Sequence, residues 1–149
     1  MTPRSPQPAP TVRVVADTNT VVSAFLWGGP PAAVLAAARE GRITLFISPL
    51  LLAELEDVLS REKFAERIMR VGSSVAQTLD GYRALASVVR PVAVEPTARD
   101  SDDDHVLACA TATQAQLIVS RDKDLLDLRE YQGILILASA DALQSLDPQ

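Results

Sequence analysis

A three-layer α/β/α sandwich around a mainly parallel, five-stranded sheet is the fold this sequence predicts, and three observations predict it. Short apolar runs of Val, Ile, Leu and Phe recur from Val12 to Leu137, each of a length suited to a buried strand. Between them lie longer stretches with apolar residues three and four apart, the period of a helix packed on a core. Composition supplies the third: 48% of the residues are hydrophobic but only 4% aromatic, so Ala, Val, Leu and Ile must fill the core, which suits helices packed on a parallel sheet.

The first strand is expected over 12–16 and a helix through Val21–Leu26, broken by Gly28-Gly29-Pro30-Pro31. Pro31 is tolerated in a first helical turn and Gly41 supplies a stop, so a second helix is predicted from Ala32 to Arg39. Thr44–Ile47 reads as the second strand. Ser48-Pro49 has the form of a cap followed by proline at the first helical position, and Leu51, Leu52, Leu55, Val58 and Leu59 mark one apolar helical face. Two further helices are predicted over 61–69 and 73–86, joined at Gly72. Val88-Val89 with Val92-Ala93-Val94 forms a third strand, and Pro91 within it points to a sheet edge. An alanine-rich helix to Ala115, the strand Leu117–Val119, a short helix near Leu125, the strand Ile134–Leu137 and a last helix from Ala140 complete the succession.

At 149 residues the chain has the commonest single-domain size, long enough to bury roughly two-thirds of its unfolded surface. One domain is expected over 12–146. A proline-rich flexible tail over 1–11, with Pro3, Pro6, Pro8 and Pro10, precedes it, and 147–149 form a short C-terminal tail. The tail lacks the apolar segment of a signal peptide, and no apolar stretch approaches the roughly 20 residues of a bilayer span. The lone Cys109, flanked by Ala108 and Ala110, cannot form an internal disulfide and reads as a packing residue. A reducing cytoplasm is the expected setting. Net charge of −5 argues against a protein that coats nucleic acid by bulk charge, but not against one that grips phosphate through metal ions and local arginines.

Four acidic residues stand at four separate points, each near a strand-to-helix junction or in the helix that follows: Asp17, Glu54, Asp104 and Asp122. Singly, each has an ordinary explanation as a cap, a helix-dipole partner, a turn residue or a solvated side chain. Jointly, parallel topology brings such positions to one sheet edge, where open α/β sheets bind their ligands. Two carboxylates about 5 Å apart repel by roughly 3 kcal/mol at an effective dielectric near 20, so a converged set needs a counter-cation. Oxygen-only ligands select a hard ion, Mg²⁺ or Mn²⁺, and the chemistry that follows is metal-assisted phosphodiester hydrolysis without a nucleophilic side chain. From the run Asp100, Asp102, Asp103, Asp104 the sequence favours Asp104, with Asp102 next. Asn19 and Ser120 are candidates to support the carboxylates, with capping and turn formation as their ordinary alternative. His105 reads as a surface or packing residue; there is no second His or Cys cluster for zinc and no Gly-rich phosphate loop.

These residues carry a resemblance. Val-Val-Ala-Asp17-Thr18-Asn19 with Val22-Ser23-Ala24, Ser48-Pro49 through Glu54-Leu55 and Val58-Leu59, Arg99-Asp100 through Asp104, Ser120-Arg121-Asp122-Lys123-Asp124-Leu125, and Tyr131 through Leu143 resemble PIN-domain ribonucleases. Within them the match is to the bacterial VapC-like toxins of type II toxin–antitoxin pairs, over residues 12–146. The resemblance implies that Asp17, Glu54, Asp104 and Asp122 form a metal-binding acidic site supported by Asn19 and Ser120. It also implies Mg²⁺ or Mn²⁺ dependence, cleavage of RNA, frequent homodimerisation and inhibition by a cognate antitoxin protein. Ser120 departs from the Thr of many members but keeps the hydroxyl, and the proline-rich extension lies outside the family pattern.

For substrate binding, Arg121 and Lys123 flank Asp122, while Arg61, Lys63, Arg67 and Arg70 follow Glu54 on helices whose ordinary role is a solvated face. Two other readings stand beside the toxin: a non-catalytic PIN-like module that binds RNA or protein, and an RNA-processing nuclease without an antitoxin. Replacing Asp17 by Asn is expected to abolish cleavage while leaving the fold intact or stabilised, by relieving like-charge repulsion.

Overall fold

The computed structural model describes residues 11–90 and 101–146, with the backbone alone at 101 and 102. The chain runs through β1 (Val12–Ala16), α1 (Thr18–Leu26), α2 (Gly29–Arg39), β2 (Ile43–Ile47), α3 (Pro49–Leu59), α4 (Glu62–Arg70), α5 (Val75–Leu85) and β3 (Ala86–Val88). It continues with α6 (Ser101–Ala112), β4 (Leu117–Val119), α7 (Lys123–Leu128), β5 (Glu130–Tyr131), β6 (Ile134–Leu137) and α8 (Ser139–Leu146). The expected tails at 1–10 and 147–149, and the strand residues Val92–Val94, lie outside the described residues.

Among the described residues the sheet is six-stranded, in the order β3-β2-β1-β4-β6-β5. All pairings are parallel except β5 with β6, where Glu130 faces Leu135 and Tyr131 faces Ile134. Four of these strands are the expected ones; β3 overlaps the expected third strand at Val88 alone and takes in Ala86, which was expected in a helix, while β5 is a two-residue addition. Gln132 and Gly133 turn it back with φ of 50° and 84°, a left-handed pair suited to a tight hairpin. Such a short strand leaves no periodic signal in the sequence.

In β4, Leu117, Ile118 and Val119 are all buried, as are Val14, Val15 and Ala16 in β1, although successive strand residues point to opposite faces. Both faces of the central strands are therefore covered by helices, as a parallel sheet requires. Each fully buried Leu or Ile contributes about 1.5–3 kcal/mol, and the core is almost wholly aliphatic apart from Tyr82 on α5. β3 lies at the sheet edge, as the nearby proline suggested.

Several helix ends shift by one to three residues from the sequence expectation, most clearly between α1 and α2. The break after α1 is confined to Trp27 and Gly28, and α2 begins at Gly29, with both Pro30 and Pro31 inside its first turn. First-turn residues have no intrahelical acceptor for their N–H groups, so two prolines lose nothing there. Gly28 makes the turn with φ of 80°, a conformation that L side chains rarely adopt.

The order of strands has one further consequence. From β1 the chain builds outward to β2 and β3 on one side, then returns to lay β4 on the other. The C-terminal ends of β1 and β4 therefore flank the point where the winding reverses, and a crevice opens at such a point.

Candidate metal centre

Asp17 follows β1 directly, and its extended backbone makes it the N-cap of α1. Its Oδ1 accepts the backbone N–H of Thr20 at 2.8 Å. Its Oδ2 accepts the Ser120 hydroxyl at 2.5 Å and the backbone N–H of Arg121 at 3.2 Å. Asp17 as a whole is 5% exposed, with donors on both carboxylate oxygens, so its orientation is fixed jointly by α1 and the end of β4. Ser120 Oγ in turn accepts the backbone N–H of Asp122 at 2.9 Å. Asp122 caps α7, its Oδ1 accepting the N–H of Asp124 at 2.7 Å.

The other acids come from helices. Ser48 caps α3 through Leu51 N–H, Pro49 opens its first turn, and the buried Leu51, Leu52 and Leu55 turn its apolar face inward. Glu54 is carried on the same helix, half-buried, with its Oε2 buried. On α6, Asp103 lies on the face that buries Val106, Leu107 and Ala110, and it is itself only 5% exposed.

Asp17, Asn19, Glu54, Asp103 and Asp122 line one cavity of about 170 Å³, with Arg61 at its wall. The structure thus brings together three of the four acids that the sequence singled out. From the acidic run the sequence favoured Asp104, but the cavity is lined by Asp103, while Asp104 sits one residue further round α6 and lines neither this cavity nor its neighbour. The side chain of Asp102 lies outside the described residues. Asp124 adds a carboxylate the sequence reading did not select: Asp103, Asp122 and Asp124 each offer an oxygen within 4.8 Å of the others.

Residues 13–124 match the family model of the PIN domain. The chain belongs to the PIN-domain family. PIN domains are generally nucleases, and the acids of this one lie at the sheet's switch point. By structure, this PIN domain is similar to the VapBC2 complex of Rickettsia felis, solved with a DNA fragment from its promoter, at a TM-score of 0.58 and 17% identity, covering 84% of this chain and 97% of the other. It is likewise similar to PAE2754 of Pyrobaculum aerophilum, at a TM-score of 0.57 and 13% identity, covering 91% and 97% of the two chains. At these identities the likeness is one of fold. A comparison with curated protein sequences gives no match.

The donor chemistry of the PIN-domain cavity suits a divalent hard cation, because every acidic group there is a carboxylate and neither sulfur nor imidazole lines it. Near Asp17, the Tyr82 hydroxyl is fully buried, with no hydrogen-bond partner among the described residues. Burial first, then repulsion of a phenolate by Cys109, were its thiol ionised, and by the Asp17 carboxylate, hold its proton far above the usual phenol range. Burial also pushes the Cys109 thiol up to about 12, so both groups stay neutral near the site.

The two flanking cations part company. Arg121 bends back to donate to Ser23 Oγ, and lines a cleft of about 740 Å³ that adjoins the acidic cavity. Lys123 instead pairs on the surface with Asp127 at 2.9 Å and lines neither space. Asn19 lines both. Among the described residues no single helix is long and apolar enough to cross a membrane.

Proposed function

We propose that this PIN domain is a Mg²⁺- or Mn²⁺-dependent endoribonuclease and that it serves as the toxin of a toxin–antitoxin pair. The observation that carries the reading is the convergence of Asp17, Glu54, Asp103 and Asp122, separated in sequence, on one small cavity at the switch point of the sheet. Neutralising such a set by hydrogen bonds alone is costly, and a doubly charged cation makes it tolerable.

Asp103, Asp122 and Asp124 would hold the ion, with Asp17 and Glu54 lining the same cavity as Asp103 and Asp122 to complete its surroundings. When bound, the ion supplies Lewis acidity for attack of water on a phosphodiester. The chain's own residues do the rest. Ser120 and the N–H groups of Thr20 and Arg121 keep Asp17 aimed by donating to both of its oxygens. Ser120 accepts from Asp122 N–H, so one hydroxyl sets the spacing of two carboxylates. Arg121 and Arg61 stand at the walls of the two adjoining spaces, where a phosphate chain would meet positive charge.

The toxin role, a cognate antitoxin protein and a homodimer draw support from the fold shared with the VapBC2 complex. A buried thiol at Cys109 suits a reducing cytoplasm. The test is to titrate Mn²⁺ into the purified chain while following a mixed RNA pool. Saturable, metal-dependent cleavage that vanishes in Asp122→Asn supports the reading; an inert wild-type protein under full Mn²⁺ occupancy overturns it. Co-expression with the product of an adjacent small open reading frame then separates a toxin from a processing nuclease, because only a toxin is silenced by it.

A further inference from the structure

Beside the acidic cavity, across the shared Asn19, the 740 Å³ cleft has a different chemistry, with Trp27, Gly28, Pro31, Phe64 and Arg121 on its walls. Aromatic residues are scarce in this chain, one Trp, three Phe and two Tyr, yet two of them line this single cleft. Trp27 leaves 54% of its surface exposed, although a fold short of aromatic side chains gains most by burying its indole. The ring is nevertheless held in place. It meets Phe64 edge-on, with centroids 5.9 Å apart and planes at 71°. The Arg67 guanidinium lies 5.4 Å from its centroid and is itself tethered, Nε donating to the Leu26 carbonyl at 2.5 Å. Lys63 Nζ sits 5.0 Å from the centroid of Phe64, and Arg121, tied to Ser23, also lines the cleft.

An ordered aromatic surface with Arg67 and Lys63 against its rings and Arg121 on the cleft wall is complementary to a ligand that combines flat apolar faces with a chain of negative charge. Single-stranded nucleic acid is such a ligand. We propose that this cleft is a nucleobase-stacking subsite, in which a base adjoining the phosphodiester at the acidic cavity stacks against Trp27 while Arg121 and Arg67 contact the flanking phosphates. The proposal rests on the nuclease reading of that cavity and adds to it a residue that fixes how RNA is registered. Asn19, common to both spaces, is the hinge of that register.

Trp27 is the chain's sole tryptophan, so its emission reports on this cleft alone. The probe is a mixed-sequence single-stranded RNA of about 12 nucleotides, added to the full chain in EDTA so that no cleavage occurs. Saturable quenching of Trp27 is expected, with an anisotropy titration of labelled RNA giving the same affinity. Trp27→Ala should weaken binding about 10- to 100-fold, whereas Trp27→Phe, which keeps an aromatic face, should lose roughly threefold or less. Removing one base at a time should abolish the quench at a single position. Unmoved emission on a protein that binds RNA, wild-type affinity in Trp27→Ala, or no RNA binding at all would each overturn the subsite. The first of these leaves the cleft to a protein partner. RNA cut without any Trp27 response sinks the subsite and spares the nuclease reading; a Trp27 response without Mn²⁺-dependent cleavage does the reverse.

Discussion

The hydroxyl of Ser120 donates to Oδ2 of Asp17 at 2.5 Å across a sequence separation of 103 residues. Few contacts say more about how the site is built. The bond joins the ends of two neighbouring parallel strands, and the same hydroxyl receives the N–H of Asp122. Ser120→Ala removes a buried, charge-assisted hydrogen bond and strands an N–H. A loss of about 2 kcal/mol is expected, or a fall in Tm of roughly 4–8 °C for a domain of this size. Mn²⁺-dependent cleavage should drop with it. Differential scanning calorimetry and a cleavage assay check both.

Asp17→Asn should abolish cleavage. The sequence alone suggested that stability would be kept or raised by the loss of a negative charge. The hydrogen bonds argue otherwise, since both carboxylate oxygens accept from N–H or O–H donors and an amide turns one of those acceptors into a donor. A destabilisation of about 1 kcal/mol is expected, measured by urea denaturation; an unchanged or raised midpoint would favour the charge-repulsion account.

The acidic run separates two neighbours cleanly. Asp103→Asn should lower Mn²⁺ affinity at least tenfold, roughly the cost of a lost carboxylate ligand contact, while Asp104→Asn should leave it within about twofold. Isothermal titration with Mn²⁺ decides, and equal losses would return Asp104 to the site. In the same series, Glu54→Gln with full metal affinity would give Glu54 a supporting role only.

Arg121→Ala should weaken RNA binding and flatten its dependence on salt, because a cation at the cleft wall is withdrawn from the phosphates. Lys123→Ala should do neither, its ammonium being engaged with Asp127 on the surface. Binding measured at several salt concentrations tells the two apart.

Cys109 and Tyr82 predict alkaline sensitivity. Both are acids whose folded-state pKa is raised, Cys109 from its ordinary 9.0 to about 12 and Tyr82 upward from 10.0. The folded state therefore holds protons that the unfolded chain releases. Stability is undiminished below pH 9 and falls as pH rises from there, by up to roughly 1.4 kcal/mol per pH unit for each group. Melting curves between pH 8 and 11 should show the decline, shallower in Cys109→Ala, and the native thiol should resist alkylation at pH 8.

Much of this was written into the chain. The aliphatic runs at 12–16, 43–47, 117–119 and 134–137 are strands because Val, Ile and Leu there cannot be solvated cheaply, and the Ser48-Pro49 cap starts its helix as local chemistry requires. That Asp17, Glu54 and Asp122 come to one cavity was legible because each stands at or soon after a strand end, where parallel topology gathers side chains. Asp103 was within reach as well, since it shares the i, i+3, i+4, i+7 face with Val106, Leu107 and Ala110. Helical phase, weighed above nearness to the sheet edge, singles it out.

Tertiary structure alone decided what lies between distant segments. No local pattern announces that Trp27 and Phe64 meet edge-on, that Arg121 folds back to Ser23 rather than reaching outward, or that Ser120 bridges two acids. Periodicity and capping act over a few residues and so can be read from sequence. Contacts between segments depend on how the helices settle on the sheet, and that is fixed by the packing of the whole core.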